Sequence, residues 1–223
     1  MLIFIPYEIE TLQQVRPWAN WLIVATCSMV SLAALSGQMD PNVVEMLVLD
    51  GWNPICMLGH VLLHGGLGHL IGNMIFLWVF GNAICTNTSN PIYFGIFCLC
   101  ALSAAIVHNL FDGGSAIGAS GAINGIVGMV LAMYPLNRVY VFWVFAIRGG
   151  SFEIRAWVLI VIWLVFDVWG VVSNGAGIAY WAHIGGLIGG VAIGLTFLKM
   201  GWIQLTEHDN ESLLDLVNRG EES

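Results

Sequence analysis

Long apolar runs with few charges recur along the chain, and they constrain its fold more than any other feature. A helix needs about 20 mostly apolar residues to cross roughly 30 Å of hydrocarbon. The 223 residues are 58% hydrophobic and 9% charged, with a mean hydropathy of +0.84, too apolar for a water-soluble core to bury. We therefore expect an all-helical, multi-pass membrane protein with six spans over 17–36, 56–85, 91–111, 118–134, 155–173 and 179–199.

The six basic residues predict the orientation, because Lys and Arg accumulate in short cytoplasmic segments. In a six-helix arrangement all of them fall on one side: Arg16, Arg138, Arg148, Arg155, Lys199 and Arg219. The segments expected on the opposite side contain no Lys or Arg: 37–55, 112–117 and 174–178. Both termini are therefore predicted to be cytoplasmic.

One domain is expected over 17–200, between a cytoplasmic N-terminal tail, 1–16, and an acidic cytoplasmic C-terminal tail, 201–223. The second tail carries much of the net charge of −8, which argues against binding nucleic acid or anionic lipid through it. The connection 37–55 is apolar enough to predict a helix lying in the membrane interface. The five cysteines have no disulfide or zinc spacing and are interpreted as packing residues.

A possible nucleophile and base lie in two of these apolar runs. Ser120 is near the outer start of the fourth predicted span, and His183 is near the outer start of the sixth. A serine hydroxyl needs a neighbouring base at neutral pH, and imidazole suits that task. The fourth run is short, so its helix is expected to begin below the membrane surface, where water can reach Ser120 from outside.

Small residues at helical spacing predict that the fourth and sixth spans pack closely, because glycines let two backbones approach in lipid. They flank the serine and the histidine: Gly121, Gly125 and Gly128 in the fourth span, and Gly186, Gly190 and Gly194 in the sixth. Packing alone would also suit a channel or transporter. A channel would not explain why a nucleophile, a base and hydrogen-bond donors converge on one side.

The second predicted span carries further polar groups, which are costly in a membrane and need a partner or a function. His69 and Asn73 are four residues apart and share a helical face. With the backbone N–H of Ser120 they are predicted to bind a developing oxyanion. His60 and His64 are instead expected to hold an outer loop. A membrane zinc protease could use this pair, but Val61 stands where its motif requires a glutamate.

These residues resemble the signatures of the rhomboid family of intramembrane serine proteases over 17–200. The matching segments are Gly118-Ala119-Ser120-Gly121, Ala182-His183-Ile184-Gly185-Gly186 and the array His64-x4-His69-x3-Asn73. The resemblance implies that Ser120 is the nucleophile, that His183 is the general base and then acid, and that no third acidic residue is needed. It also implies an oxyanion site of His69, Asn73 and the Ser120 amide. Supporting residues near the site are expected to be His64, Gly118, Gly121, Gly186, Gly190 and Asn124.

Two positions depart from the family pattern. Many members have a Trp-Arg pair in the outer loop, where this chain has Pro54-Ile55-Cys56-Met57. Some have a tyrosine four residues after the nucleophile, where this chain has Asn124. Asn124 or an aromatic neighbour such as Trp181 is then expected to orient His183.

Asp167 and His108 also lie within predicted spans. Asp167 is expected to be hydrated at the outer interface, with a role in admitting a substrate residue as the alternative. His108 is expected to be structural or interfacial.

The function predicted is an intramembrane serine endopeptidase that cuts in or near the transmembrane segments of substrate proteins. The alternative is a non-catalytic rhomboid-like protein that binds or escorts transmembrane clients, although such a protein would ordinarily have lost Ser120 or His183. Membrane lipids are expected partners, whereas nucleic acid, metal and cofactor are not. The six-span form resembles bacterial members and favours a bacterial inner membrane, with an organelle as the open alternative.

Overall fold

The computed structural model describes residues 2–203, 205–206 and 209–222, and it is mostly helical. Positions 204, 207, 208 and 223 of the predicted acidic tail lie outside the described residues. The helices in chain order are α1 (Trp18–Leu35), α2 (Pro41–Leu47), α3 (Pro54–Gly59), α4 (Leu67–Phe76), α5 (Asn82–Thr88), α6 (Asn90–Phe111), α7 (Ser120–Met133), α8 (Ala156–Val172), α9 (Tyr180–Lys199) and α10 (Leu213–Glu222). The strands are β1 (Leu2–Ile9), β2 (Arg138–Phe145) and β3 (Arg148–Arg155).

Four of the described helices are long and apolar enough to cross a membrane. They are α1, α6, α9 and the helix Leu67–Thr88, in which a π-helical turn, Leu77–Gly81, joins α4 to α5. The apolar helices α7 and α8 are shorter, with 14 and 17 residues. Each predicted apolar run therefore contains a helix, but two of the helices fall below the usual spanning length.

The second predicted span starts too early at residue 56. Pro54 opens the separate short helix α3, a 3₁₀ turn follows at His60–Leu62, and the long helix begins only at Leu67. Because the interrupting segment is itself apolar, hydropathy does not mark the break. The actual start places His60 and His64 before the helix and His69 in its first turn.

A three-stranded antiparallel sheet, ordered β1-β2-β3, corrects the expectation of an all-helical fold. β1 pairs with β2 from Leu2 opposite Phe145, and β2 pairs with β3 from Arg138 opposite Arg155. β2 is rich in the β-branched and aromatic residues that favour strands, and this signal was available in the sequence. Its partner β1 is more than 100 residues earlier in the chain, so the pairing depends on the tertiary fold.

Helix α7 is mostly buried, and it packs against α9 through glycines. A Cβ atom added at Gly186 would overlap the backbone carbonyl of Gly121, and one added at Gly190 would overlap that of Gly125. Only hydrogen fits between two backbones at that distance, which is how small residues bring helices together in lipid. The close approach expected from the glycine pattern is present.

The 37–55 connection is held by backbone pairing. The Leu49 N–H donates to the Ala116 carbonyl at 2.9 Å, and the Ala116 N–H donates to the Leu49 carbonyl at 3.0 Å. This bridge joins the 37–55 connection, which contains the short helix α2, to the segment leading into α7. It fixes the connection through main-chain atoms, a few residues before the segment 54–57, which contains no arginine.

Candidate active site

Ser120 and His183 meet where α7 and α9 begin. Ser120 is the first residue of α7, and His183 is in the first turn of α9. The Ser120 Oγ and His183 Nε2 atoms are 2.9 Å apart, a good hydrogen-bond distance. The hydroxyl can pass its proton to Nε2 only when the ring carries its other proton on Nδ1. The glycine contacts between α7 and α9 hold both residues at this separation.

Asp167 occupies the other side of the His183 ring. Its Oδ1 is 2.8 Å from His183 Nδ1, and the two side chains are only 14% and 16% exposed. The expectation of a hydrated carboxylate at the interface is therefore wrong. Although Asp167 is close to the end of α8, its side chain is turned toward α9 and away from solvent.

Asn124 and Trp181, the residues expected to orient His183, are not hydrogen-bonded to its ring. The Asn124 side-chain amide donates to the Ser120 backbone carbonyl at 3.0 Å. The Trp181 ring stacks on Phe111, with centroids 4.6 Å apart. Asn124 does line a cavity beside His183, but the hydrogen-bond partner of His183 Nδ1 is Asp167 Oδ1, which accepts.

Hydrogen-bond donors face the recess around Ser120. The Gly65 N–H donates to His69 Nδ1 at 3.4 Å, which leaves Nε2 of that ring as the protonated nitrogen. Asn73 Nδ2 is buried and has no hydrogen-bond partner among the described residues. The Ser120 N–H lies at the start of α7, where backbone donors lack intrahelical acceptors and the helix dipole favours negative charge.

Gly118 allows these donors to approach the serine. Its φ of +121° lies in a region that side-chain-bearing residues rarely adopt. A Cβ atom at this position would also lie 2.8 Å from His69 Nε2. The Gly118 N–H donates to the His60 carbonyl at 2.9 Å, which fixes the turn before α7.

His64 connects the turn before α7 to α1, and its ring is neutral. The Ser31 hydroxyl donates its one proton to the Leu62 carbonyl at 2.7 Å, so the contact of 2.7 Å between Ser31 Oγ and His64 Nδ1 must use a proton from the ring. His64 Nε2 then accepts from the Ala119 N–H at 3.5 Å. Burial, and secondarily the charge of His69, lowers the pKa of His64 to about 4, which keeps the ring neutral at physiological pH.

The other two histidines among the described residues contact backbone carbonyls. His60 Nδ1 is 3.1 Å from the Cys56 carbonyl, and His108 Nε2 is 2.7 Å from the Gly114 carbonyl. In the part of the chain that the structure describes, no three His, Cys, Asp or Glu side chains are grouped as metal ligands.

The residues predicted to act together line one open cavity of about 570 Å³. Its walls come from the start of α4, the start of α7, the loop after α8 and the start of α9: Gly65, Gly66, His69, Asn73, Ile117, Ser120, Gly177, Ile178, Ala179 and His183. A smaller cavity of about 210 Å³ lies on the Asp167 side of His183. Of the residues lining the larger cavity, His69, Asn73, Ser120 and His183 were predicted from sequence, whereas the contact of Asp167 with His183 was not.

Fold and site define a multi-pass membrane protein in which apolar helices carry a paired serine and histidine. The chain belongs to the rhomboid family, because the family model described as "Rhomboid domain" matches residues 51–200. It is 28% identical over 151 residues to "Rhomboid protein 1, mitochondrial" of Saccharomyces cerevisiae, covering 63% of this chain and 41% of that protein. It is 29% identical over 134 residues to "Rhomboid protease GluP" of Bacillus subtilis, covering 60% of this chain and 24% of that protein. The match thus spans less than half of either relative.

Proposed function

We propose that this protein is an intramembrane serine endopeptidase. It hydrolyses a peptide bond in or near a transmembrane segment of another membrane protein, through an acyl-enzyme on Ser120. The observation that carries the proposal is the 2.9 Å contact between Ser120 Oγ and His183 Nε2 in a cavity faced by His69 and Asn73. The family membership and the name of the second relative, a rhomboid protease, support this activity.

In the proposed mechanism, His183 Nε2 takes the Ser120 proton as Oγ attacks the substrate carbonyl. The oxyanion that forms accepts hydrogen bonds from the Ser120 N–H, the Asn73 amide and His69 Nε2–H. His183 then gives its proton to the leaving amine. In the second half, a water molecule loses a proton to His183, attacks the acyl group and releases Ser120.

The unpartnered Asn73 amide supports the oxyanion role. A buried N–H group without an acceptor costs free energy in the resting protein. If a negative oxygen forms in this cavity, the group gains a charge-assisted hydrogen bond only then. An interaction that is stronger in the transition state than before it is what accelerates a reaction.

We propose that all six apolar helices cross the membrane, including α7 and α8, with both termini in the cytoplasm of a bacterial cell. A 14-residue helix at 1.5 Å per residue covers about 21 Å, less than the hydrocarbon thickness. Ser120, at the outer end of α7, would then lie below the outer surface. The open cavity supplies the path for water, and the exposed apolar side chains of α8 would contact lipid.

The substrate must expose a carbonyl that a regular helix keeps hydrogen-bonded, so it must unwind locally. Helix-weakening residues near the cut, with a small residue before it, should therefore favour cleavage. A single-pass reporter with Gly and Pro in its transmembrane segment should be cut faster than the same reporter with a poly-Leu segment. Equal cleavage of the two reporters would count against local unwinding.

The test of the function is labelling of the detergent-solubilised protein with a fluorophosphonate probe. Wild type and the control Ser28→Ala, whose serine lines a different cavity, should be labelled. Ser120→Ala and His183→Ala should not, while keeping the wild-type melting behaviour. A folded wild type that is not labelled would contradict the proposal and favour a non-catalytic rhomboid-like protein that binds transmembrane clients.

A further inference from the structure

We infer that Asp167 is a positioning residue for the base, so that the reaction uses a Ser120-His183-Asp167 triad with its carboxylate on α8. This inference rests on the proposed function and extends it. The carboxylate holds the imidazole with its proton on Nδ1, leaves Nε2 free for the serine proton, and stabilises the imidazolium that follows.

The hydrogen bonds of His183 determine its tautomer. An ionised carboxylate can only accept, so the 2.8 Å contact with Asp167 Oδ1 places a ring proton on Nδ1. Nε2 then has a lone pair directed at the Ser120 hydroxyl, 2.9 Å away. In the opposite tautomer the Nε2–H would face the hydroxyl, and the base could not take its proton. The carboxylate therefore selects the competent form of the ring.

The surroundings of Asp167 support a role in orienting His183. Among the described residues, His183 is its one recorded hydrogen-bond or ion-pair partner. A carboxylate in an apolar helix is costly unless it is paired or has a function. The remaining ionisable side chain lining the site is His69, which lines the same cavity as His183.

The packing of α8 on α9 sets the register of this pair. A Cβ atom at Gly170 would overlap the Tyr180 ring, so these two residues are in close contact. Gly170 follows Asp167 by three residues, and His183 follows Tyr180 by three, which places each pair on one helix face. Because the two helices run in opposite directions, a Gly170–Tyr180 contact near their outer ends brings Asp167 to His183 one turn deeper.

Proton transfer balances without a further reactant. The serine proton moves to Nε2 as the Oγ–carbon bond forms, and the Nδ1 proton stays on the ring with Asp167 ionised. The Nε2 proton then goes to the departing amine as the peptide bond breaks. In the second half, water gives a proton to Nε2 as it attacks the acyl carbon. Nε2 then returns that proton to Ser120 Oγ as the ester bond breaks.

The chain contains a matched control for this inference. Asp112 also lies beside a histidine, with its Oδ2 at 3.3 Å from His108 Nδ1, but it is half-exposed. His108 Nε2 is bonded to the Gly114 carbonyl, and among the described residues neither ring nitrogen is hydrogen-bonded to a hydroxyl. Asp112→Asn therefore removes a similar charge beside a similar ring without affecting the proposed site.

The experiment measures the fluorophosphonate labelling rate and the melting temperature of wild type, Asp167→Asn, Asp167→Ala and Asp112→Asn. The asparagine amide can donate to Nδ1 and favour the wrong tautomer, so Asp167→Asn should label roughly 10²- to 10⁴-fold more slowly. Added formate should partly restore the rate of Asp167→Ala, but not that of His183→Ala. Asp112→Asn should label at the wild-type rate.

The outcomes separate the two proposals. A folded Asp167→Asn variant that labels at the wild-type rate, while Ser120→Ala does not label, overturns the role of Asp167 and leaves the protease function intact. A folded wild type that is not labelled overturns both. If the Asp167 variants do not fold, ¹⁵N spectra of histidine-labelled wild type decide, with the His183 signals assigned by their loss in His183→Gln. An Nδ1-protonated ring supports the inference, and an Nε2-protonated ring overturns it.

Discussion

The interfaces of α9 with α7 and with α8 are built differently. Toward α7, α9 presents Gly186 and Gly190 to backbone carbonyls, so the two main chains are in direct contact. Toward α8, the contacts involve side chains, with the Tyr180 ring against Gly170 and His183 bonded to Asp167. A backbone contact has no rotamer that can relieve an overlap, whereas a side-chain contact can adjust.

This difference separates two requirements of the proposed chemistry. The distance from nucleophile to base is fixed by the α7–α9 pair, which cannot vary without moving whole helices. The orientation of the base depends on α8, many of whose other side chains are exposed, including Phe166 and Trp169. Changes in the first interface should therefore affect folding, and changes in the second should mainly affect activity.

The largest effect is expected for Gly190→Ala. The new methyl group would overlap the Gly125 carbonyl, and the helices would have to separate, at a cost of about 3 kcal/mol or more. The free energy of unfolding in mixed detergent should fall accordingly, or no folded protein should be recovered. Gly95→Ala is the control, because nothing lies within 4 Å of a Cβ atom there. Equal stability of the two variants would remove the distinction between the interfaces.

A smaller effect on stability is expected for Gly170→Ala. The new methyl group meets the Tyr180 ring, which can move, so the loss should be about 1–3 kcal/mol. The fluorophosphonate labelling rate should fall more than the stability does, because displaced helices separate Asp167 from His183. Gly170→Ala combined with Tyr180→Leu should recover part of that rate. If Gly170→Ala alone labels at the wild-type rate, the α8–α9 register does not control the orientation of His183.

A pH-dependent effect is expected on the loop before α7. The folded pKa of His64 is about 4, against 6.5 in the unfolded chain, so between these values the unfolded state binds more protons. The free energy of unfolding should therefore be highest above about pH 6.5, and it should decrease as the pH falls toward 4. The melting temperature of His64→Gln should depend less on pH over that interval. A residual slope should remain, because burial also lowers the pKa of His60 to about 4.

The smallest effect is expected for Arg138→Gln in the sheet. Arg138 Nη1 and Glu153 Oε1 are 2.6 Å apart, but both side chains are exposed and their attraction is screened by water. Melting temperature and labelling rate should match those of wild type. A clear loss of labelling would mean that the sheet is coupled to the site, contrary to the separation described above.

Much of the site followed from local patterns. The Ser120 and His183 segments, the glycine spacing and the His69-Asn73 pair are short motifs whose helical periodicity predicts a shared face. The second helix was placed too early because Pro54–Leu62 is as apolar as a span. The sheet was missed because β1 and β2 are distant in sequence, although β2 alone has strand composition.

Asp167 shows where such patterns stop. It lies on α8 and His183 on α9, and no periodicity within one helix relates two different helices. One sequence signal could have predicted the contact with His183. Gly170 follows Asp167 by three residues, and His183 follows Tyr180 by the same three, on either side of a short loop. Its use requires knowing that Gly170 packs on Tyr180, which is a tertiary contact.

The sequence by itself determined that the chain is a membrane protein of mostly helical structure, that α7 and α9 can approach closely, and which serine and histidine are candidates to react. Apolar length and glycine spacing are local properties, and lipid allows few backbone solutions. Only the tertiary structure decided that the N-terminal strand joins a sheet, that Asp167 is turned inward, and that it bonds to the nitrogen of His183 opposite Ser120. Those features depend on the rotation and register of separate elements, which are set by packing between segments that are not neighbours in the chain.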